Sequence, residues 1–228
     1  MRHGHNETPL NPLPPVVWLI LLPIVAMEVV LSAGGLGLAG GQAGIGWRSE
    51  ALQRFALSPV MLDQMWQAGQ VSADYLMRFV SYAFVHGNLT HTVFAAVFIL
   101  ALGKFVGEVF RGWAVAAVFL GAVLAGGLAY SLVPGLQVAL YGAYPGAYGL
   151  IGAFTYIIWA RLGAHHARQG GAFALIGFLL GIQLLFGVIF GGAPDWIADL
   201  AGFGAGFCLS FVVAPGGPAH LLRLIRQR

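Results

Sequence analysis

The chain has 228 residues, 59% of them hydrophobic and only 8% charged, with a formal net charge of +3 and a mean hydropathy of +0.83. A soluble domain carries about 25% charged residues, so this composition excludes a water-soluble globule. The small basic excess collects in the C-terminal tail and reads as membrane topology, not nucleic-acid binding. The single cysteine, Cys208, excludes an internal disulfide framework and is expected as a small core residue.

A membrane span needs about 20 mostly apolar residues. Residues 1–15 form a short N-terminal segment, proline-rich from residue 9, ahead of a first span over 16–33. That span reads as an uncleaved anchor, because no small-residue cleavage site follows it. Glu28 lies inside it without an evident partner.

A long first loop over 34–78 comes next, opening with the glycine-rich stretch Gly34 to Gly46. Met61, Leu62, Met65 and Trp66 recur at helical spacing after Pro59, which predicts an amphipathic hairpin in the membrane interface. Further spans are predicted over 83–103, 113–133, 147–163, 172–191 and 196–214, followed by a basic tail over 215–228. The fold class is therefore an all-α polytopic membrane protein, a six-helix bundle in one domain over 16–214, in direct contact with the lipid bilayer.

Eight of the eleven Lys and Arg residues, Lys104, Arg111, Arg161 and Arg168 among them, fall on one side. Arg48, Arg54 and Arg78 fall on the other. The positive-inside rule then places both termini in the cytoplasm and the first loop outside. Gly202 and Gly206 form a small-xxx-small pair in the last span, and Gly142, Gly146 and Gly149 offer small residues to face it. This spacing predicts close contact between the fourth and sixth spans.

Several segments, taken in order, resemble the rhomboid family of intramembrane serine proteases. Met77-Arg78 leading to His86 resembles the family's Trp-Arg approach to the second span, with methionine for the tryptophan. His86-Gly87-Asn88-Leu89-Thr90-His91 resembles its pair of histidines, and Glu108 with Gly112 its exit from that span. Gly146-Ala147-Tyr148-Gly149 resembles the start of its active-site helix, and Ala198-Asp199-Leu200-Ala201-Gly202 the segment of its catalytic histidine.

The resemblance implies catalytic positions that this chain does not keep. Tyr148 stands where the family has its nucleophilic serine, Asp199 where it has its general base, and Ala95 where an asparagine helps hold the oxyanion. Only His91 is retained among these polar positions. A phenolate is a better leaving group than an alkoxide, so forming an acyl-tyrosine from an amide is uphill.

The expected reading is a pseudoprotease that binds transmembrane segments of client proteins, in quality control, trafficking or scaffolding, in a bacterial inner membrane. His91, Tyr148 and Asp199 are expected to form a polar cluster in place of the catalytic centre. No cofactor or metal is implied: His86 and His91, five residues apart, diverge on an ideal helix. Two alternatives from other function classes are an active protease with a displaced site, using Ser81, Ser131 or Ser210, and a proton-coupled transporter using Glu28, His91 and Asp199.

Overall fold

The computed structural model describes residues 12–191 and 194–216. The N-terminal arginine, Arg2, and the basic tail from Leu221 to Arg228 lie outside the described residues. In chain order the helices are α1 (Pro15–Gly35), α2 (Gly41–Gly44), α3 (Trp47–Phe55), α4 (Pro59–Ala68), α5 (Ala73–Ser81), α6 (Leu89–Gly107), α7 (Gly112–Ser131), α8 (Tyr144–Ala164), α9 (Ala174–Phe190) and α10 (Trp196–Val213). Short 3-10 turns, Tyr82–Phe84 and Gln169–Phe173, precede α6 and α9.

Among the described residues, five helical stretches are long and apolar enough to cross a membrane: Pro15–Gly35, Leu89–Gly107, Gly112–Ser131, Gln169–Ile189 and Trp196–Val213. The expected fourth crossing coincides with α8, which at 21 residues is as long as α1. Glycines, threonine, tyrosines and Arg161 dilute its apolar character. Its buried residues run from Pro145 to Ile157 with few gaps, so α8 is surrounded by other helices.

The expected second span starts later than its hydropathy suggests. Residues 82–84 form a 3-10 turn, and α6 begins only at Leu89, where the Asn88 side chain accepts from the His91 N–H over 2.9 Å. That cap satisfies one of the free amides of a helix start and sets the level at which His91 stands.

Glycine lets α7, α8 and α10 approach backbone to backbone. A methyl at Gly206 would meet the Gly149 carbonyl oxygen, and one at Gly202 would lie 2.9 Å from the Pro145 carbonyl carbon. One at Gly146 would lie 2.5 Å from the Phe119 ring. The contact expected between the fourth and sixth spans is therefore present, and α7 joins it. Cys208, expected in the core, is exposed on the outer face of α10.

Where the sequence suggests one hairpin, the first loop carries four helices, α2 to α5. The spaced residues after Pro59 do lie on a helix, α4, with Trp66 86% exposed. Leu57 and Leu140 exchange backbone hydrogen bonds of 2.9 and 2.8 Å, joining this loop to the segment before α8. Arg78 donates to the Gln53 and Ala56 carbonyls over 2.8 and 3.0 Å, so it clamps the end of α3 onto α5. Glu108 ends α6, its N–H donating to the Lys104 carbonyl over 3.0 Å.

Candidate functional site

The polar centre lies where the starts of α6, α8 and α10 meet α9. Tyr148 is buried in the first turns of α8, and its hydroxyl donates to Gln183 Oε1 over 3.1 Å. Gln183 Nε2 donates in turn to Asp199 Oδ2 over 2.8 Å. Asp199 sits in the first turn of α10 and is 2% exposed. Its Oδ1 is buried with no hydrogen-bond partner among the described residues. Tyr148 and Asp199 thus belong to one polar chain, linked through an amide and not by direct contact.

His91 lines a cavity of about 100 Å³ together with Tyr141, Tyr144, Gln183, Asp195 and Asp199. Its ring stacks on Tyr144 at 4.8 Å and 16°, and meets Tyr141 and His86 edge to face at 5.9 and 5.3 Å. The ring needs flat space on the facing loop. A methyl at Gly142 would lie 2.6 Å from His91 Cε1, and Gly142 has φ +102°, which side-chain-bearing residues rarely adopt. The glycine therefore serves both the ring and the turn into α8.

His86 is buried outside the spanning helices, and its Nε2 accepts from the Ala143 N–H over 3.2 Å. Burial first, then the nearby His91, pushes its pKa down from the ordinary 6.5 to about 4. Burial likewise raises the Asp195 carboxyl, just ahead of α10. Ala95, one turn along α6 from His91, is fully buried and presents only a methyl group.

The other serines have structural partners or lie elsewhere. Ser81 donates to the Phe55 carbonyl over 3.0 Å, and Ser210 to the Gly206 carbonyl over 2.7 Å. Ser131 is buried at the far end of α7 from Arg111. Among the described residues, no group of three or more His, Cys, Asp or Glu side chains is arranged to hold a metal ion.

Two residues that matter were not signalled by the sequence. Gln183 is the polar side chain within the apolar run of α9, and that isolation was the available cue. Arg48 reaches from α3 to Glu28, its Nη2 and Nη1 donating to the two carboxylate oxygens over 2.7 and 3.1 Å. Ser32 and Thr92 each donate to the same carboxylate over 2.6 Å, and Arg48 also donates to the His86 carbonyl over 2.8 Å. Glu28 is therefore the hub that fixes α1, α3 and α6 behind the cavity.

A family profile described as "Rhomboid domain" matches residues 73–216, which hold α5 to α10 and every residue of the polar centre. Among curated proteins, the chain is 28% identical over 144 residues to Rhomboid-related protein 2 of Mus musculus. The aligned part is 63% of this chain, and the chain spans less than half, 43%, of that relative's length. With the matched profile lying over the helices that build the site, the chain belongs to the rhomboid family.

Proposed function

We infer that this rhomboid-family membrane protein is a pseudoprotease, which binds transmembrane segments of client proteins without cutting them. The observation that carries the reading is the phenol of Tyr148 at the nucleophile position, joined by the Gln183 amide to Asp199. Serine attack needs an alkoxide-forming hydroxyl beside a base, and donors for the developing oxyanion. Here the hydroxyl is a phenol, it donates to the Gln183 amide and not to Asp199, and Ala95 offers no side-chain donor. Losing one oxyanion donor alone costs on the order of 3 kcal/mol of transition-state stabilisation.

Client binding draws support from the combination of a polar centre with a loosely covered flank. Phe178, Leu185 and Val188 on α9 are exposed, at 65%, 55% and 85%. A helix entering beside α9 would find apolar surface outside and hydrogen-bonding groups within. The orientation proposed is cytoplasmic for the ends carrying Lys104, Arg111, Arg161 and Arg168, and external for the loop carrying Arg48, Arg54 and Arg78.

The test is incubation of the purified full chain in proteoliposomes with a labelled transmembrane peptide whose helix is weakened by glycine and proline. Saturable binding with intact peptide is expected. Cleavage that disappears when one serine is replaced would overturn the reading.

A further inference from the structure

The Gln183 carboxamide is held by one donor and one acceptor that belong to other helices. Tyr148 Oη donates to its oxygen, and Asp199 Oδ2 accepts from its nitrogen. Tyr148 and Asp199 stand on α8 and α10, which pack glycine to backbone through Gly149, Gly202 and Gly206. Gln183 stands on α9, whose surface is largely exposed and whose glycines, Gly177, Gly181 and Gly187, have open space where a Cβ would go. A fixed pair of polar groups thus meets a ligand carried on a more loosely packed element.

We propose that Tyr148 and Asp199 form a recognition site for a primary carboxamide, filled in cis by Gln183 and open to an Asn or Gln side chain of a client transmembrane helix. The proposal rests on the client-binding reading and specifies what that site selects. The selectivity follows from the donor and acceptor pattern. A primary carboxamide presents its acceptor oxygen and donor nitrogen side by side. A trans peptide bond sets its C=O and N–H on opposite sides, so main chain does not serve both groups at once. A carboxylate lacks the donor for Asp199, and an ammonium lacks the acceptor for Tyr148.

An empty site is disfavoured by what it would leave behind. With Gln183 withdrawn, the Tyr148 hydroxyl and the Asp199 carboxylate, whose Oδ1 already lacks a hydrogen-bond partner, would both stand unpaired in a poorly solvated interior. An Asn or Gln in a client helix carries the same unmet need in lipid. Each satisfies the other, and the Gln183 carboxamide that moves aside with α9 takes over the unmet need, so the cis and client carboxamides compete for one site.

The test uses the full chain in nanodiscs and leucine-based transmembrane peptides that carry Asn, Asp or Leu at mid-depth. Gln183→Ala, which clears the carboxamide and its stem, is run beside Gln183→Leu, which removes the carboxamide alone. Vacating the site should tighten binding of the Asn peptide by roughly three- to tenfold, with little change for the Leu and Asp peptides. Adding Tyr148→Phe to either variant should remove that preference. Equal affinity for the Asn and Leu peptides in both vacated variants would overturn the carboxamide site while leaving client binding intact. Failure of every peptide to bind would remove the client-binding reading and this proposal with it.

Discussion

Arg48 holds both carboxylate oxygens of Glu28, at 2.7 and 3.1 Å, across the gap between a loop helix and the first span. Glu28 is 5% exposed, so removing the guanidinium leaves a buried carboxylate held, among the described residues, by the Ser32 and Thr92 hydroxyls. Breaking a buried pair in this way costs about 3 kcal/mol. Arg48→Ala should lower stability by that order in a mixed-micelle unfolding titration. The double variant Glu28→Ala, Arg48→Ala should lose less than the sum of the single variants, because the stranded charge is gone. Additive losses would mean that the pair is not coupled.

His86 makes stability depend on pH. Its folded pKa, about 4, lies below the ordinary 6.5, so between those values the unfolded chain binds more protons than the folded one. Stability is then complete above about 6.5, falls as pH drops through this window, and levels off below about 4, for a total of roughly 3 kcal/mol. Protonation also removes the acceptor that His86 Nε2 offers to the Ala143 N–H, at the start of α8. Burial is the main cause; His91 and Arg48 reinforce it and Glu28 opposes it. His86→Gln keeps an acceptor without titrating, so its unfolding midpoint should lose most of this slope between pH 7 and pH 4.

The helices of the bundle were legible because lipid demands long apolar runs, and the glycine intervals at Gly146, Gly149, Gly202 and Gly206 pointed to their contact. What misled was hydropathy at residues 83–88. Tyr82, Ala83 and Val85 are apolar because they are buried in the loop junction, not because they continue a span. The site was legible only where a motif fixed the position. Tyr148 and Asp199 stood on such motifs, but the residue that joins them did not. A lone glutamine in α9 has no pattern to announce that it faces inward, and Arg48 lies 20 residues from Glu28 with no periodicity connecting them.

The glycines of α10 and α9 should respond in opposite directions. Gly206→Ala places a methyl on the Gly149 carbonyl oxygen and Gly202→Ala one against the Pro145 carbonyl, both backbone atoms that cannot rotate away. Each should lose about 3 kcal/mol, the upper range for overpacking. Gly177→Ala and Gly181→Ala meet open space in a helix, so each should gain roughly 0.5–1 kcal/mol from the better helix propensity. Thermal unfolding of the four purified variants in one detergent checks the contrast.

Restoring the nucleophile alone should not restore proteolysis. Tyr148→Ser places a hydroxyl on α8, yet the group at the base position is still Asp199, whose Oδ2 accepts from Gln183. The oxyanion would still find the methyl of Ala95 where a donor is required, a deficit on the order of 3 kcal/mol, or more than a hundredfold in rate. The shorter side chain also releases Gln183 Oε1 from the Tyr148 phenol, so the amide is free to cover the new serine. Tyr148→Ser should therefore give no product above background from a glycine-weakened transmembrane peptide, read by mass spectrometry. The triple variant Tyr148→Ser, Asp199→His, Ala95→Asn supplies all three groups on helices already packed in the right order, and any recovered cleavage is expected there first. Product from the single variant at the rate of the triple would show that Asp199 can act as the base and that the missing asparagine is not limiting.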